Sequence, residues 1–549
     1  MTLSIHGRAA QYGSRVAVID RGMGPDSEAA GDPASDDQYT YGDLAAATRA
    51  CNRRLAANVV GEGDVIAVLA RNRVELLILF FTAVDRGAIL APISHRLAGE
   101  SVRTIHERID PTLTLYEPQF EGLLETGTEE STGAETAEEE RGLEGTTYRD
   151  LERFFDLTVD DAADLDTPDG WLHPQDLDTV PRDPDRSVLY LHTGGTTGVP
   201  KVVVCPYRQV EWNCITELAA WGLGKTDVSP VFLPLFHTGG WNLLTLPTLY
   251  VGGQVVLHRE FDPGFALDTI ERYGATHAFG VAAIFQAMAD HPDFETTDFA
   301  TVDWFMSGGG PTSEAVMDAY RDRGQRFSQG YGLTEGGPNN LYLDPERTVD
   351  QEKSISSVGR PFPDCEARIV DDDGTVLRAN DIGELEVRGP MTAAGYLETE
   401  DGTFEGEWVS TGDLARRDEA GDYTITGRTD NMFVSGGENV YPEEIEAVLE
   451  DHPDVDSVGV VGIPHDRWGT VPKAIVSGSL EDSSTLEAYA RDTLADFQVP
   501  HEIQVVDAVP LSGAGKLDRG TLEDQYGPSS EEAVGRAGEG TDNSEGEGL

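Results

Sequence analysis

Apolar residues recur with helical spacing from Tyr41 to Ala57. A short apolar run, Asp64 to Ala70, follows and predicts a strand, and Glu75 to Val84 predicts a second helix. Helices and strands alternate in this way through residues 1–120, the signature of a parallel α/β sheet. The alternation resumes from Ser187 to Gly427, punctuated by glycine turns. At Tyr441 the pattern changes. Pro442 suits a first helical position, Glu443 and Glu444 favour a helix N-terminus, and Ile445, Val448 and Leu449 form one apolar face. Strands at Ser457–Val461 and Ala474–Val476, a helix near Leu486–Phe497 and a strand at Ile503–Val506 complete a small α+β unit. Residues 121–147 and 527–549 carry acids, Gly, Ser and Thr with few apolar positions. They are expected to be an exposed, mobile acidic loop and a disordered tail.

The chain has 549 residues, enough for several domains, and 39% of them are apolar before its 61 glycines are counted. A core can be built. The apolar run Leu76–Val84 is closed by Asp85 and Arg86, too short to span a membrane, so no integral membrane contact is expected. The N-terminus shows no basic-then-apolar export pattern, and a cytoplasmic location is expected. Cys51, Cys205, Cys214 and Cys365 are scattered and suggest neither a disulfide framework nor a zinc site. The formal charge is −59, a field that repels nucleic acid. Of the 40 basic residues, five are Lys: Lys201, Lys225, Lys353, Lys473 and Lys516. An acid-rich, Lys-poor surface over an ordinary core resembles proteins of a high-salt cytoplasm, and a halophilic archaeal source is expected.

Against that background, a lysine beside a Gly/Thr loop points to an anionic ligand. The segment Val188–Val204 runs from an apolar strand into Thr193, Gly194, Gly195, Thr196, Thr197 and Gly198, then reaches Lys201. The glycines can present backbone N–H groups to phosphate oxygens, and the threonines and Lys201 add side-chain donors. This is not a P-loop, because Val202 stands where magnesium would need a hydroxyl. Further along lie Ser307-Gly-Gly-Gly-Pro311, which includes Gly309 and Gly310, and Gln329-Gly-Tyr-Gly-Leu-Thr-Glu-Gly-Gly337. Ser410-Thr-Gly-Asp-Leu414, Gly427-Arg-Thr-Asp430, Phe433–Pro442 and Val509–Arg519 follow. Taken alone, the Ser307 segment reads as a strand-to-helix turn, Asp413 as a turn cap and Gly436-Gly437 as a hairpin turn.

In their order, these motifs resemble those of the adenylate-forming superfamily of acyl- and aryl-CoA synthetases, adenylation domains and luciferases, over about residues 35–520. The family usually has Ser at Gly194 and often Gly at Val202. The resemblance implies a large N-terminal domain (1–429) of α/β subdomains plus a small β-barrel-like part. A small mobile α+β C-terminal domain (430–526) would follow, with Asp430 as the hinge. It implies ATP, Mg²⁺ and CoA as cofactor and co-substrates. The nucleotide site would comprise Thr193–Gly198, Lys201, Gly309, Gly310, Pro311, Gln329, Gly330, Tyr331, Gly332, Thr334, Asp413 and Arg428. Tyr331 would stack on adenine, and Asp413 and Arg428 would hold the ribose. Glu335, with Thr196, would bind the metal, and Lys516, Glu335, Thr334 and His237 would be catalytic. Gly436 and Gly437 would line the CoA path. Leu233-Pro-Leu-Phe-His-Thr-Gly-Gly-Trp241 supplies His237 and Trp241 to an acyl pocket shared with Gly330.

The implied activity is an ATP-dependent acid–CoA ligase that forms acyl-AMP and then acyl-CoA, with a fatty or aliphatic acid expected and an aryl acid as the alternative. An amino-acid adenylation enzyme would want an acidic residue where His237 stands, and no carrier domain follows Lys516. A non-catalytic nucleotide-binding protein would have no need of both Glu335 and Lys516. A homodimer is compatible with this reading. The charge itself generates a test. Lowering KCl from molar levels to 0.1 M lengthens electrostatic screening to about 10 Å and restores repulsion among the carboxylates. The melting temperature should therefore fall steeply on dilution of salt, and a melting temperature independent of KCl would contradict this.

Overall fold

The computed structural model describes residues 3–22, 36–124, 147–155, 180–193, 200–348, 357–398, 402–435, 438–465, 467–480, 483–511 and 517–527. Gly194, Gly195, Thr196, Thr197 and Gly198, expected to bind phosphate, together with Gly436, Gly437, Lys516 and the tail beyond residue 527, lie outside them.

Three sheets make up the N-terminal part. The first is seven-stranded, in the order Gly395–Tyr396, Lys201–Pro206, Ser187–Thr193, Ile89–Pro92, Val65–Leu69, Leu113–Tyr116, Thr147–Asp150. Its middle is parallel, because Val65–Leu69 pairs in parallel with strands on both sides, and all five of its residues are buried. The helix Val74–Arg86 packs beside it with apolar residues on nearly every face, so it is a core helix rather than a surface one. The helix Tyr41–Ala57 begins at a capping box in which Thr40 and Asp43 satisfy each other's backbone N–H groups.

The second sheet begins with the parallel strands His277–Gly280, Trp304–Ser307 and Phe327–Tyr331. It continues antiparallel through Leu341–Tyr342, Ser357–Pro361, Tyr423–Arg428, Trp408–Arg417, Ile382–Arg388 and Glu366–Val370, the small β part. A third, four-stranded sheet joins Val16–Asp20 in parallel to Gln254–Leu257.

The C-terminal unit has its own core, built from Val440, Ile445, Leu449, Val458, Val460, Ala474, Val476 and Leu486. Two of its strands run longer than their apolar patterns predict. Val455–His465 and Gly469–Gly478 pair along a hairpin from Val455↔Gly478 to His465↔Gly469. The pattern ended early at Gly and Pro positions, but cross-strand pairing carries the backbone through them. The helix predicted near Leu486–Phe497 occupies Ser483–Thr493 instead.

The ends of the segment expected to be an acidic loop, 121–147, are ordered. Pro118–Leu123 forms a 3₁₀ turn whose Phe120, Leu123 and Leu124 pack on a buried cluster. Thr147 already pairs with Leu113 in the first sheet. Residues 125–146 lie outside the described set. Among the described residues no helix is long and apolar enough to cross a membrane.

The helix Pro442–Glu450 carries a buried charge cluster. Arg519 reaches Glu446 and pairs with Glu443 at 3.2 Å. Burial pushes the Glu446 carboxyl up to about 7. Burial, helped by the neighbouring Glu446 and Asp451, does the same to Glu450. A carboxyl raised in the folded state holds a proton there that the unfolded chain has already released. Each group therefore costs stability as pH rises from the ordinary 4.5 toward 7, at up to about 1.4 kcal/mol per pH unit. Glu450→Gln should be more stable than the parent above pH 7, with a flatter stability–pH profile between pH 5 and 7 in urea unfolding. An unchanged profile would count against a raised Glu450.

Candidate active site

The Thr193, Ser307 and Gln329 motifs begin where parallel strands end. Thr193 closes the strand Ser187–Thr193, and Lys201 opens the antiparallel return strand opposite it, Thr193↔Lys201. The Gly/Thr segment therefore connects two antiparallel strands, unlike a P-loop, which leads from a strand into a helix. The Ser307 and Gln329 motifs lie at the C-terminal ends of the neighbouring parallel strands Trp304–Ser307 and Phe327–Tyr331, in register at Ser307↔Gln329. That is the edge of an α/β sheet where ligands bind. Gly309, Gly310 and Pro311 stand exposed at this edge, and the Gln329 side chain accepts from the backbone of Thr312 at 3.3 Å.

The loop 331–340 is shaped by close backbone approaches. A Cβ on Gly332 would lie 1.5 Å from the Pro338 carbonyl oxygen. Gly337 has φ +83°, and a Cβ there would lie 1.8 Å from the Met391 carbonyl oxygen. Held in this way, Glu335 is buried and has its backbone carbonyl bonded by Ala393 N–H. Its Oε1 accepts from the Tyr396 hydroxyl at 2.8 Å, and the Thr193 hydroxyl lies 3.5 Å away. Lys201 Nζ stands 4.9 Å from the Tyr396 ring centre. Thr334 is buried, and its carbonyl accepts from Gln209 at 2.9 Å.

At the other end of the loop, the Tyr331 hydroxyl donates to Asp413 Oδ2 at 2.5 Å, and Arg428 donates to Asp413 Oδ1 at 2.7 Å. Asp413 and Arg428 are cross-strand partners, so the sheet fixes their pairing. Burial, and then the Asp413 carboxylate, push the Tyr331 phenol well above its usual range. Gly330, in the preceding strand, has ordinary contact distances around a hypothetical Cβ. Asp430 is exposed in the turn that leaves Tyr423–Arg428, and the next residue, Asn431, bonds Glu443 of the C-terminal helix.

The residues expected around the acyl group divide. His237 is half-buried at the start of a short helix. Its ring centre lies 6.3 Å from His192 and 5.3 Å from Phe236. Trp241 does not share this place. It is fully buried and packs on Phe80 at 5.4 Å in the main core, because its bulk fills the space between helices rather than an opening.

Three features were not singled out from the sequence. His192 lies directly before Thr193, and burial pushes its imidazole down to about 4. It is therefore neutral near pH 7, and its Nε2 accepts the Ser94 N–H at 3.0 Å. Tyr396 sits on a two-residue strand that periodicity cannot reveal. Gln209, Asn213 and Glu217 recur every fourth residue along the helix Tyr207–Trp221, a spacing visible in the chain. They are fully buried and reach the loop 331–340: Asn339 donates to Asn213 at 3.0 Å and to Glu217 at 2.8 Å. Burial holds Glu217 well above the usual carboxyl range, and it also accepts the Leu244 N–H at 3.3 Å. The sequence signal was a polar stripe, which ordinarily marks a solvated face.

Comparison with known proteins agrees with this geometry. Residues 5–397 match the AMP-binding enzyme family, and residues 444–516 match the AMP-binding enzyme C-terminal domain. A feruloyl-CoA synthase from Amycolatopsis sp. is 32% identical over 89% of this chain and 94% of its own length. An indoleacetate–CoA ligase from Aromatoleum aromaticum is 31% identical over 91% and 95%. The o-succinylbenzoate CoA synthetase of Bacillus subtilis, solved with its acyl-adenylate, superposes with a TM-score of 0.80 at 25% identity, covering 95% of this chain and 98% of the other. With family models matched over residues 5–397 and 444–516, the chain belongs to the AMP-binding, adenylate-forming enzyme family.

Proposed function

We propose that this enzyme is an AMP-forming acid–CoA ligase, which joins a carboxylate to ATP, releases pyrophosphate, and passes the acyl group from acyl-AMP to CoA. The observation that carries the reading is the joining of Thr193, Lys201, Tyr396 and Glu335 at one end of the loop 331–340, with Tyr331, Asp413 and Arg428 at the other. The first group suits phosphates and the second a ribose. Asp413 is already oriented by two donors, so its carboxylate is set to accept from ribose hydroxyls without reorganising.

Among the described residues no cluster of three or more His, Cys, Asp or Glu is placed to hold a metal on its own. A single oriented carboxylate, Glu335, fits a Mg²⁺ that takes its other ligands from nucleotide phosphates and water. Thr196, outside the described residues, is the proposed second protein ligand. When bound, the ion would supply charge neutralisation at the phosphates. This chain's own part is to fix the Glu335 carboxylate, to place the Lys201 ammonium opposite Thr193, and to hold the nucleoside end through Asp413. Lys516, also outside the described residues, is proposed to stabilise charge during adenylation. The Gly436–Gly437 turn is proposed to admit the thiol of CoA after rotation about Asp430.

For the acid, we favour an aryl or arylalkyl carboxylate over the aliphatic one expected from sequence alone. The relatives above are named for feruloyl, indoleacetate and o-succinylbenzoate groups. His192, Phe236 and His237 gather flat rings at the end of the strand that closes with Thr193, and the half-buried His237 is the one of the three that a planar group could reach. A fatty acid remains the second reading, on the strength of a medium/long-chain fatty-acid–CoA ligase from Mycobacterium tuberculosis, 33% identical over 68% of this chain. The acidic, Lys-poor surface supports a source adapted to high salt, and a homodimer is compatible with the fold.

The reaction class and the substrate class are tested together by pyrophosphate release across a panel of hydroxycinnamic, arylacetic, benzoic and straight-chain acids, with and without CoA, in molar KCl. Release that needs an acid, rises with CoA and is fastest with an aryl acid is expected. Release confined to straight-chain acids would overturn the aryl assignment, and none with any acid would overturn the ligase. The two steps should separate by mutation. Lys516→Ala should slow acyl-AMP formation roughly 100- to 1000-fold, the scale for loss of one preorganised transition-state donor, and should spare thioester formation from supplied acyl-AMP. Gly436→Leu should do the reverse. Equal damage to both steps by Lys516→Ala in single-turnover measurements would refute the division of labour.

A further inference from the structure

Tyr396 has no role in the motifs read from sequence, yet it is the side chain that joins two of the candidate functional groups. Its strand, Gly395–Tyr396, pairs antiparallel with the middle of Lys201–Pro206, Tyr396↔Val203, as the edge of the first sheet. A one-residue change of register would turn the ring to the opposite face. The register is reinforced by two backbone bonds, Ala394 N to Val204 O and Leu397 N to Val202 O, both 2.9 Å. Phe404 braces the ring edge-to-face at 5.3 Å. From this fixed position the hydroxyl donates to Glu335 Oε1 at 2.8 Å, while the ring face lies 4.9 Å from Lys201 Nζ.

These are two separable actions of one side chain. The hydroxyl orients a carboxylate and leaves its other oxygen for a cation. The ring face attracts the ammonium and confines it to the phosphate side of the sheet.

We propose that Tyr396 is a positioning residue for nucleotide binding: its hydroxyl sets the Glu335 carboxylate for Mg²⁺, and its ring sets Lys201 for the phosphates. This inference rests on the nucleotide-site reading given above. It makes a prediction that a purely structural tyrosine would not, because the hydroxyl should matter for Mg²⁺-dependent binding and the ring for binding without the ion.

The test is calorimetric titration of ATP into the full-length protein in molar KCl, with MgCl₂ or with EDTA. Parent, Tyr396→Phe, Tyr396→Leu, Glu335→Gln and the Glu335→Gln/Tyr396→Phe double variant are compared, with circular dichroism melting as the folding control. Loss of a hydrogen-bond partner behind a metal ligand typically weakens metal binding about 10- to 100-fold. Tyr396→Phe should therefore weaken ATP binding about tenfold or more with MgCl₂ and leave binding in EDTA unchanged. In the Glu335→Gln background, the same change should have no further effect. Tyr396→Leu should weaken binding in EDTA as well. Tyr396→Phe that binds Mg²⁺-ATP like the parent would overturn the hydroxyl's role. So would an effect that persists in full without the Glu335 carboxylate. Tyr396→Leu that binds ATP in EDTA like the parent would overturn the ring's role. If the parent itself bound no ATP, the nucleotide-site reading would fall, an outcome distinct from these.

Discussion

The hydrogen bond between the Tyr396 hydroxyl and the Glu335 carboxylate is where three separate stretches of chain are brought to one place. Glu335 follows the last parallel strand of the second sheet. Tyr396 lies between strands of the small β part but pairs with the first sheet, and Thr193 ends that sheet's adjoining strand. A buried carboxylate without partners would be costly, so the contact requires that both sheets and the connection between them be in place together. The phosphate side of the candidate site is thus a product of the sheets' mutual packing rather than of any one loop.

A second level of support lies behind it. The helix Tyr207–Trp221 buries a polar edge, and through Gln209, Asn213 and Glu217 it holds the loop 334–339 from beneath. Glu217 also takes the Leu244 N–H, where Leu244 adopts a positive φ of 68°. The nucleotide-side loop and the segment that carries His237 are therefore tied to the same helix. Buried polar side chains of this kind are tolerated when they are hydrogen-bonded, as Gln209 is through its amide nitrogen, and they fix one arrangement of the loops where apolar packing alone would allow several.

Electrostatics divide the molecule differently. The whole chain carries a formal charge of −59. At the candidate site a rare lysine, Lys201, is placed against the Tyr396 ring. The local attraction for an anion is then set by short-range geometry, which salt screens weakly, while the general repulsion of the acidic surface is screened strongly. The two effects do not conflict at high ionic strength.

Much of this was legible in the chain. Val65–Leu69 and Val74–Arg86 announce a buried parallel strand and a core helix, because full burial demands continuous apolar residues. The Thr193, Gln329, Asp413 and Arg428 segments carry their chemistry in residue type and spacing, and all four lie at the candidate site. What the sequence could not decide was which side chains meet across long separations. Tyr396 is 61 positions from Glu335, on a strand too short to leave a periodic trace. The Gln209–Glu217 stripe has the spacing of a solvated helix face, and only packing against the loop 334–339 makes it an interior one. Trp241 has the composition of a pocket wall, yet the helices around Phe80 close over it. Local pattern fixes elements because it reports each residue's exposure. Partners are fixed by how the sheets stack, which depends on contacts no local window contains.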